Sequence, residues 1–153
     1  MSTQVAVTVY SRRSPAWEAL HAATTEWVRQ LDHRATGSAT ARLNETGMLR
    51  AGSEGEALLR TVLTDAVRIA SRTEGAYDPT ILPVVRLWDF DAGGRIPDPN
   101  ELAVAVDLTD YVSIRTTGAL VLAPGQEVDM GGVGKGAVAV SYTHLTLPTI
   151  LRV

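Results

Sequence analysis

The sequence predicts an α+β domain, and three observations support this fold class. Residues 4–10 alternate between apolar and polar side chains, as in a half-buried strand. Residues 15–33 and 56–72 carry apolar side chains at helical spacing. Residues 112–115 and 120–123 read as two short strands that Thr116-Thr117-Gly118 joins into a hairpin. Strand, helix, helix, loop, hairpin, glycine-rich turn and helix then follow one another, and no internal repeat is present.

Length and composition limit the possible functions. The chain has 153 residues, of which 45% are hydrophobic and 20% charged, enough for one domain with a core. A net charge of −3 gives no basic footprint for nucleic acid. The absence of cysteine excludes disulfides, thiolate nucleophiles and zinc–thiolate sites. No apolar run reaches membrane-spanning length and no signal peptide precedes the domain, so a cytoplasmic location is expected.

The first predicted helix covers residues 15–33, with Ser14 as its N-cap and Pro15 in its first turn. His21 and His33 are expected to be surface residues, because neither has a partner at metal-ligand spacing. A short turn is expected at residues 41–44, followed by a flexible stretch at 45–55.

The second predicted helix, residues 56–72, is expected to stop at Gly75. Asp78 stands before Pro79, which favours extended backbone at the aspartate. Two interpretations remain open for this acid. Its side chain closes an ordinary Asx-type turn, or it accepts hydrogen bonds from a ligand.

Aromatic residues follow in residues 81–90. Trp88 and Phe90 belong to the core or flank a ring of a ligand, and a core position is expected for each taken alone. Residues 91–99 read as a loop and 101–106 as a short helix or turn.

The most informative stretch is residues 128–136, where four glycines lie between and around Asp129 and Lys135. Such a turn can direct several N–H groups at one anion, and a lysine suits phosphate. A purely structural turn is the alternative. A nucleotide-triphosphate loop is not matched, because Asp129 stands at the first glycine position and Gly136 at the Ser/Thr position.

Four motifs in order give a family resemblance. They are Arg42-Leu43-Asn44, Thr73-x-Gly75-Ala76-Tyr77-Asp78-Pro79-Thr80, Trp88-Asp89-Phe90 and Asp129-Met130-Gly131-Gly132-Val133-Gly134-Lys135-Gly136. The sequence resembles the ApbE family, the FAD:protein FMN transferases, over about residues 5–139. The resemblance implies transfer of FMN from FAD to a threonine hydroxyl of a target protein, with release of AMP and assistance from Mg²⁺.

The resemblance also implies site residues. The contacts with FAD would come from Ala76, Tyr77, Asp78, Asp129 and Lys135. The backbone carbonyl of Gly132 would reach the magnesium ion, Asn44 would be structural, and no catalytic residue is identified. Arg34 and Ala39 stand where the family usually has an aromatic residue and an acid, so one wall of the flavin pocket is expected to differ.

The resemblance implies a truncated ApbE-like domain. Residues 1–139 match its N-terminal part, and the family's remaining metal ligands lie in a second half. Residues 140–153 do not look like the family and match a reading-frame translation of a sequencing adapter, so a non-native tail is expected, with an apolar strand at 145–151 as the alternative. Three interpretations remain: part of a flavin transferase that is inactive alone, a flavin-binding module without transfer, or a non-catalytic scaffold.

Overall fold

The computed structural model describes residues 17–50 and 52–146, with side chains described as far as residue 140. The predicted strand at residues 4–10 lies outside these residues. The described helices and strands are α1 Trp17–Leu31, α2 Ala39–Thr46, β1 Met48–Leu49, α3 Glu54–Arg72, α4 Leu82–Leu87, α5 Pro99–Asp107, β2 Leu120–Val121 and α6 Gly134–Thr146. This mixture of helices with a small sheet confirms the predicted α+β class.

Helix α2 corrects the short turn expected at residues 41–44. The Ser38 hydroxyl accepts the N–H of Ala41 at 3.0 Å, which caps the helix at its start. Gly47 ends it in the left-handed region, at φ 68°, and donates its N–H to Leu43 at 2.8 Å. Leu43 is fully buried, so tertiary packing stabilises a helix too short to stand alone.

The sheet also differs from the prediction. Strand β1 lies inside the stretch expected to be flexible and pairs antiparallel with β2, Met48 facing Val121 and Leu49 facing Leu120. Of the predicted hairpin, Arg115 and Val121 keep two backbone hydrogen bonds of 3.0 Å. Residues Tyr111–Ser113 form a 3₁₀ turn instead of a strand, because the Asp110 carboxylate accepts the N–H of Val112 at 2.9 Å.

Helix α3 is confirmed, with its start two residues earlier than predicted. Ser53 and Glu56 form a reciprocal capping box that fixes this start. At the other end Gly75, at φ +80°, donates its N–H to Ala70 at 2.9 Å, so Gly75 is the predicted stop.

The core lies where α1, α2, α3 and α6 pack together over the two strands. Gly134 begins α6 beside the end of α1, and a Cβ at this glycine would lie 3.4 Å from Leu31 Cδ1. The glycine turn is therefore held against the last turn of α1. Residues 145–146 belong to α6 rather than to the alternative strand, and 147–151 lie outside the described residues.

Among the described residues, no helix combines the length and the apolar character needed to cross a membrane.

Candidate functional site

The structure brings the two longest sequence motifs into one site. The N–H of Asp129 donates to the carbonyl of Pro79 at 2.8 Å. The Tyr77 ring packs on the turn, where a Cβ at Gly132 would lie 3.0 Å from Tyr77 Cε2. Glycine at this position therefore permits a close approach of the ring that a larger residue would hinder.

Asn44 fixes the chain just ahead of the turn. Its Nδ2 donates to the carbonyl of Val128 at 3.0 Å, and its Oδ1 accepts the N–H of Val128 at 2.8 Å. Val128 is fully buried, so these bonds satisfy two backbone groups that water does not reach. The structural role expected for Asn44 is confirmed.

Asp78 forms an Asx-type turn. Its Oδ1 accepts the N–H of Thr80 at 2.8 Å and the hydroxyl of Thr80 at 2.6 Å, and its Oδ2 accepts the N–H of Tyr111 at 3.1 Å. The hydrogen bond from Tyr111 joins Asp78 to the 3₁₀ turn Tyr111–Ser113. Since an ionised carboxylate has about four acceptor positions, little capacity is left for a ligand, and an FAD contact of Asp78 stays a prediction.

Tyr77 presents a buried hydroxyl that has no hydrogen-bond partner among the described residues. Burial, followed by the charges of Asp129 and Asp78, raises the pKa of Tyr77 to about 12. The hydroxyl therefore stays protonated at neutral pH and keeps a donor that no described residue accepts. Ala76 precedes it on the exposed turn and donates its own N–H to Thr73 at 3.0 Å.

Asp129 has two neighbours on one carboxylate oxygen. Its Oδ1 accepts the N–H of Gly131 at 2.8 Å and lies 3.4 Å from Nδ1 of His33. The His33 side chain is only 8% exposed, so the expectation that His33 is a surface residue was wrong. It is buried because α1 ends directly against the glycine turn. His21 is exposed, as expected.

The turn uses some of its amides internally and leaves others free. Val133 and Gly134 both donate to the carbonyl of Met130, at 3.2 and 2.6 Å. The amides of Lys135 and Gly136, in the first turn of α6, have no partner among the described residues. The Lys135 side chain is exposed. Two amides and one ammonium at a helix N-terminus are suited to a phosphate group.

The same residues offer few ligands for a metal ion. Gly132 is exposed, and its carbonyl is available as one oxygen ligand. Within the described ranges, however, no three His, Cys, Asp or Glu side chains come close enough together to hold a metal ion. Magnesium prefers six oxygen ligands, so the described residues do not by themselves fit this ion, and no chemical step is derived through it.

The aromatic pair lies at the surface. The rings of Trp88 and Phe90 are nearly parallel, with centroids 6.3 Å apart and planes at 6°. Phe90 is 67% exposed, so the expected core position was wrong for this residue. It begins the 3₁₀ turn Phe90–Ala92 in the loop that follows α4. Arg34 stands at the expected pocket wall. Its Nε lies 3.4 Å from Oδ2 of Asp91, which belongs to the same 3₁₀ turn as Phe90.

His33 is the residue that the sequence did not identify as part of the site. It contacts Asp129, which lies far away in the sequence, and short sequence motifs do not predict such contacts. Its position next to Arg34, where the resemblance implies a different pocket wall, is the sequence signal that could have found it.

Comparison with known proteins gives consistent matches. A sequence model described as ApbE family matches residues 1–145. A Treponema pallidum protein named FAD:protein FMN transferase is 31% identical over 166 aligned positions, covering 95% of this chain and 44% of that protein. A Haemophilus influenzae protein of the same name is 32% identical over 108 residues, covering 65% of this chain and 31% of that protein. The chain thus spans less than half the length of these relatives.

Solved structures show the same fold. The ApbE protein of Thermotoga maritima superposes with a TM-score of 0.76 at 20% identity, covering 91% of this chain and 48% of that one. The flavin transferase ApbE of Vibrio cholerae superposes with a TM-score of 0.75 at 22% identity, covering 92% of this chain and 48% of that one.

Proposed function

Because this chain belongs to the ApbE family, we propose that it is the N-terminal part of an FAD:protein FMN transferase. In the proposed reaction a P–O bond of the FAD pyrophosphate breaks and AMP leaves. A new P–O bond forms between the FMN phosphorus and the hydroxyl oxygen of an acceptor threonine, whose proton is released to water. The acceptor is a target protein that carries this threonine.

The observation that carries the proposal is the joining of two motifs into one site. The segment that contains Tyr77 and Pro79 lies beside the glycine turn. A hydrogen bond joins Asp129 to Pro79, and the Tyr77 ring packs on Gly132. FAD is an anion with aromatic ends. A ring with a donor hydroxyl beside a phosphate-binding helix start matches both of these properties.

We assign the contacts as follows. The segment Ala76, Tyr77 and Asp78 contacts the flavin nucleotide, and the protonated Tyr77 hydroxyl donates to one of its oxygens. Asp129 and Lys135 contact FAD, with the lysine and the two free amides of α6 on the pyrophosphate. No described residue is proposed as the catalytic base.

Magnesium enters the proposal as an ion that the Gly132 carbonyl helps to hold, and its charge would neutralise phosphoryl oxygens. The described residues hold no cluster of three further candidate ligands. We therefore propose that this 153-residue chain binds FAD but does not complete the transfer alone. Formation of an FMN-modified threonine by this chain with Mg²⁺, seen by mass spectrometry, would refute that part.

The direct test uses Lys135, which is the only lysine in the sequence. Reductive methylation with ¹³C-formaldehyde keeps its charge and gives one lysine resonance besides that of the N-terminal amine. We expect FAD to shift this resonance and riboflavin, which lacks the pyrophosphate, to leave it in place. An unchanged resonance at saturating FAD would contradict the proposal.

Matched variants sharpen this test. Lys135→Gln removes the charge and is expected to weaken FAD binding by about tenfold, or about 1.4 kcal/mol. Lys135→Arg keeps the charge and is expected to retain most of the affinity. Arg68→Gln removes an exposed charge on α3 and serves as the control for a nonspecific charge effect.

A flavin-binding module without transfer activity is the second candidate, and the described residues, which hold no cluster of three candidate metal ligands, fit it equally well. It predicts FAD binding without transfer even when the matching second half of a longer relative is added. If the chain is a non-catalytic scaffold, we expect no FAD binding. The Lys135 resonance should then stay in place when FAD is added, in the parent chain and in Asp129→Asn alike.

A further inference from the structure

We propose that His33 is a positioning residue that fixes the Asp129 carboxylate, so that its second oxygen faces a hydrogen-bond donor of the bound nucleotide. The proposal rests on the proposed function, in which that nucleotide is FAD. It adds a residue to the site and names the kind of ligand group that Asp129 receives.

The two oxygens of the Asp129 carboxylate have different surroundings. Both close polar neighbours lie at Oδ1 of Asp129: the N–H of Gly131 donates to it at 2.8 Å, and Nδ1 of His33 lies 3.4 Å from it. Oδ2 has no hydrogen bond among the described residues. The side chain is 27% exposed, and its close protein neighbours lie at Oδ1, so Oδ2 is the oxygen that we propose receives the ligand.

His33 is itself held in place. Asp32 directly before it accepts the N–H of Arg34 at 2.9 Å through its side chain, and the Ser38 hydroxyl at 2.7 Å through its carbonyl. These two bonds pin the turn that carries the imidazole. With 8% of the side chain exposed, the ring has little freedom to move away from Asp129.

The contact also fixes the position of a proton. A carboxylate accepts hydrogen bonds and does not donate them, so Nδ1 faces it favourably only when it carries a hydrogen. Both the charged imidazole and the neutral Nδ1–H tautomer meet this condition. A neutral ring protonated on Nε2 would place a lone pair against the anion.

Asp129 and Lys135 are expected to attract different groups of the bound nucleotide. An ionised Oδ2 attracts an N–H or O–H group, such as a ring nitrogen, an amino group or a hydroxyl, and repels a phosphate. The phosphates are attracted to Lys135 and the amides at the start of α6 instead. The opposite charges of Asp129 and Lys135 therefore orient the nucleotide along the turn.

The test measures the FAD dissociation constant of the 153-residue chain by calorimetry. His33→Ala is expected to weaken binding by roughly 5- to 30-fold, because the Asp129 carboxylate loses the neighbour that holds its Oδ1. His33→Asn is expected to stay within about twofold of the parent, because its amide nitrogen reaches the position of Nδ1 and restores one donor. His21→Ala, an exposed histidine of α1, is the matched control and should leave the affinity unchanged.

A double-mutant cycle separates positioning from general structure. In an Asp129→Ala background, His33→Ala is expected to cause little further loss. Three results would overturn the proposal: no loss in His33→Ala, an equal loss in the Asp129→Ala background, or a His33→Asn variant no better than His33→Ala.

A ligand-free measurement keeps the proposal independent of FAD. The ¹⁵N shifts of the neutral imidazole, assigned by comparison with His33→Asn, should report the Nδ1–H tautomer. An Nε2–H tautomer would overturn the proposal whether or not FAD binds. The Nδ1–H tautomer in a chain that fails to bind FAD would support the His33–Asp129 contact and count against the proposed function.

Discussion

Replacing Asn44 by alanine tests how the glycine turn is held. The side chain makes two bonds to Val128, of 3.0 and 2.8 Å, and Val128 is fully buried. Alanine would leave one buried N–H and one buried C=O without partners, each at a cost of about 1–3 kcal/mol. Since local relaxation recovers part of this loss, we expect the free energy of unfolding to fall by about 2–4 kcal/mol.

Urea unfolding followed by circular dichroism measures this change. Glu45→Ala, at the next and exposed position of α2, should change stability by less than about 0.5 kcal/mol. Asn44→Asp keeps an acceptor for the Val128 N–H but loses the donor to the Val128 carbonyl. Its free energy of unfolding should therefore lie between those of Asn44→Ala and Glu45→Ala. An Asn44→Ala variant as stable as Glu45→Ala would refute the structural role.

Three further predictions concern other parts of the molecule. Gly132→Ala places a Cβ 3.0 Å from the Tyr77 ring, so we expect the free energy of unfolding to fall by about 1 kcal/mol and calorimetry to show weaker FAD binding. At Gly136 a Cβ meets nothing within 4 Å, so Gly136→Ala should raise the free energy of unfolding by up to about 1 kcal/mol. The pKa of Tyr77 is raised from 10.0 to about 12, so its contribution to stability is complete below pH 10 and is lost as the pH rises to about 12. Ultraviolet titration should therefore show one late tyrosine, which Tyr77→Phe removes. Burial alone would raise the pKa of Glu56, but two N–H groups before α3 and the Arg42 charge lower it. Its contribution is thus present above pH 4.5 and lost as the pH falls through the lowered pKa, and Glu56→Gln should show a weaker loss of stability on acidification.

The parts of the fold that depend on local signals were predicted from the sequence. Helices α1 and α3 carry long apolar stripes, and Gly75 stops α3 by its own backbone preference. The Asx-type turn of Asp78 was one of the two interpretations that the Asp-Pro pair left open, and the structure shows its hydrogen bond.

The parts that depend on distant partners were not predicted. Helix α2 is short, and its stability comes from the burial of Leu43 rather than from a long periodic pattern. Strands of two residues are too short for an alternating pattern, so the pairing of β1 with β2 left no trace in the sequence. The exposure of Phe90 and the burial of His33 are likewise decided by which elements pack beside them.

The Asn44–Val128 pairing has a consequence for the order in which the site forms. The two residues are 84 positions apart, and closing such a loop costs about 4 kcal/mol of chain entropy, beyond a length-independent part. Two hydrogen bonds with a net value of about 1 kcal/mol each do not offset this cost. The contact therefore requires the simultaneous burial of Val128 and Met130 in the core. We expect the helices to form early and the nucleotide site to form last, so that its amides exchange with solvent deuterium through openings that leave α3 intact.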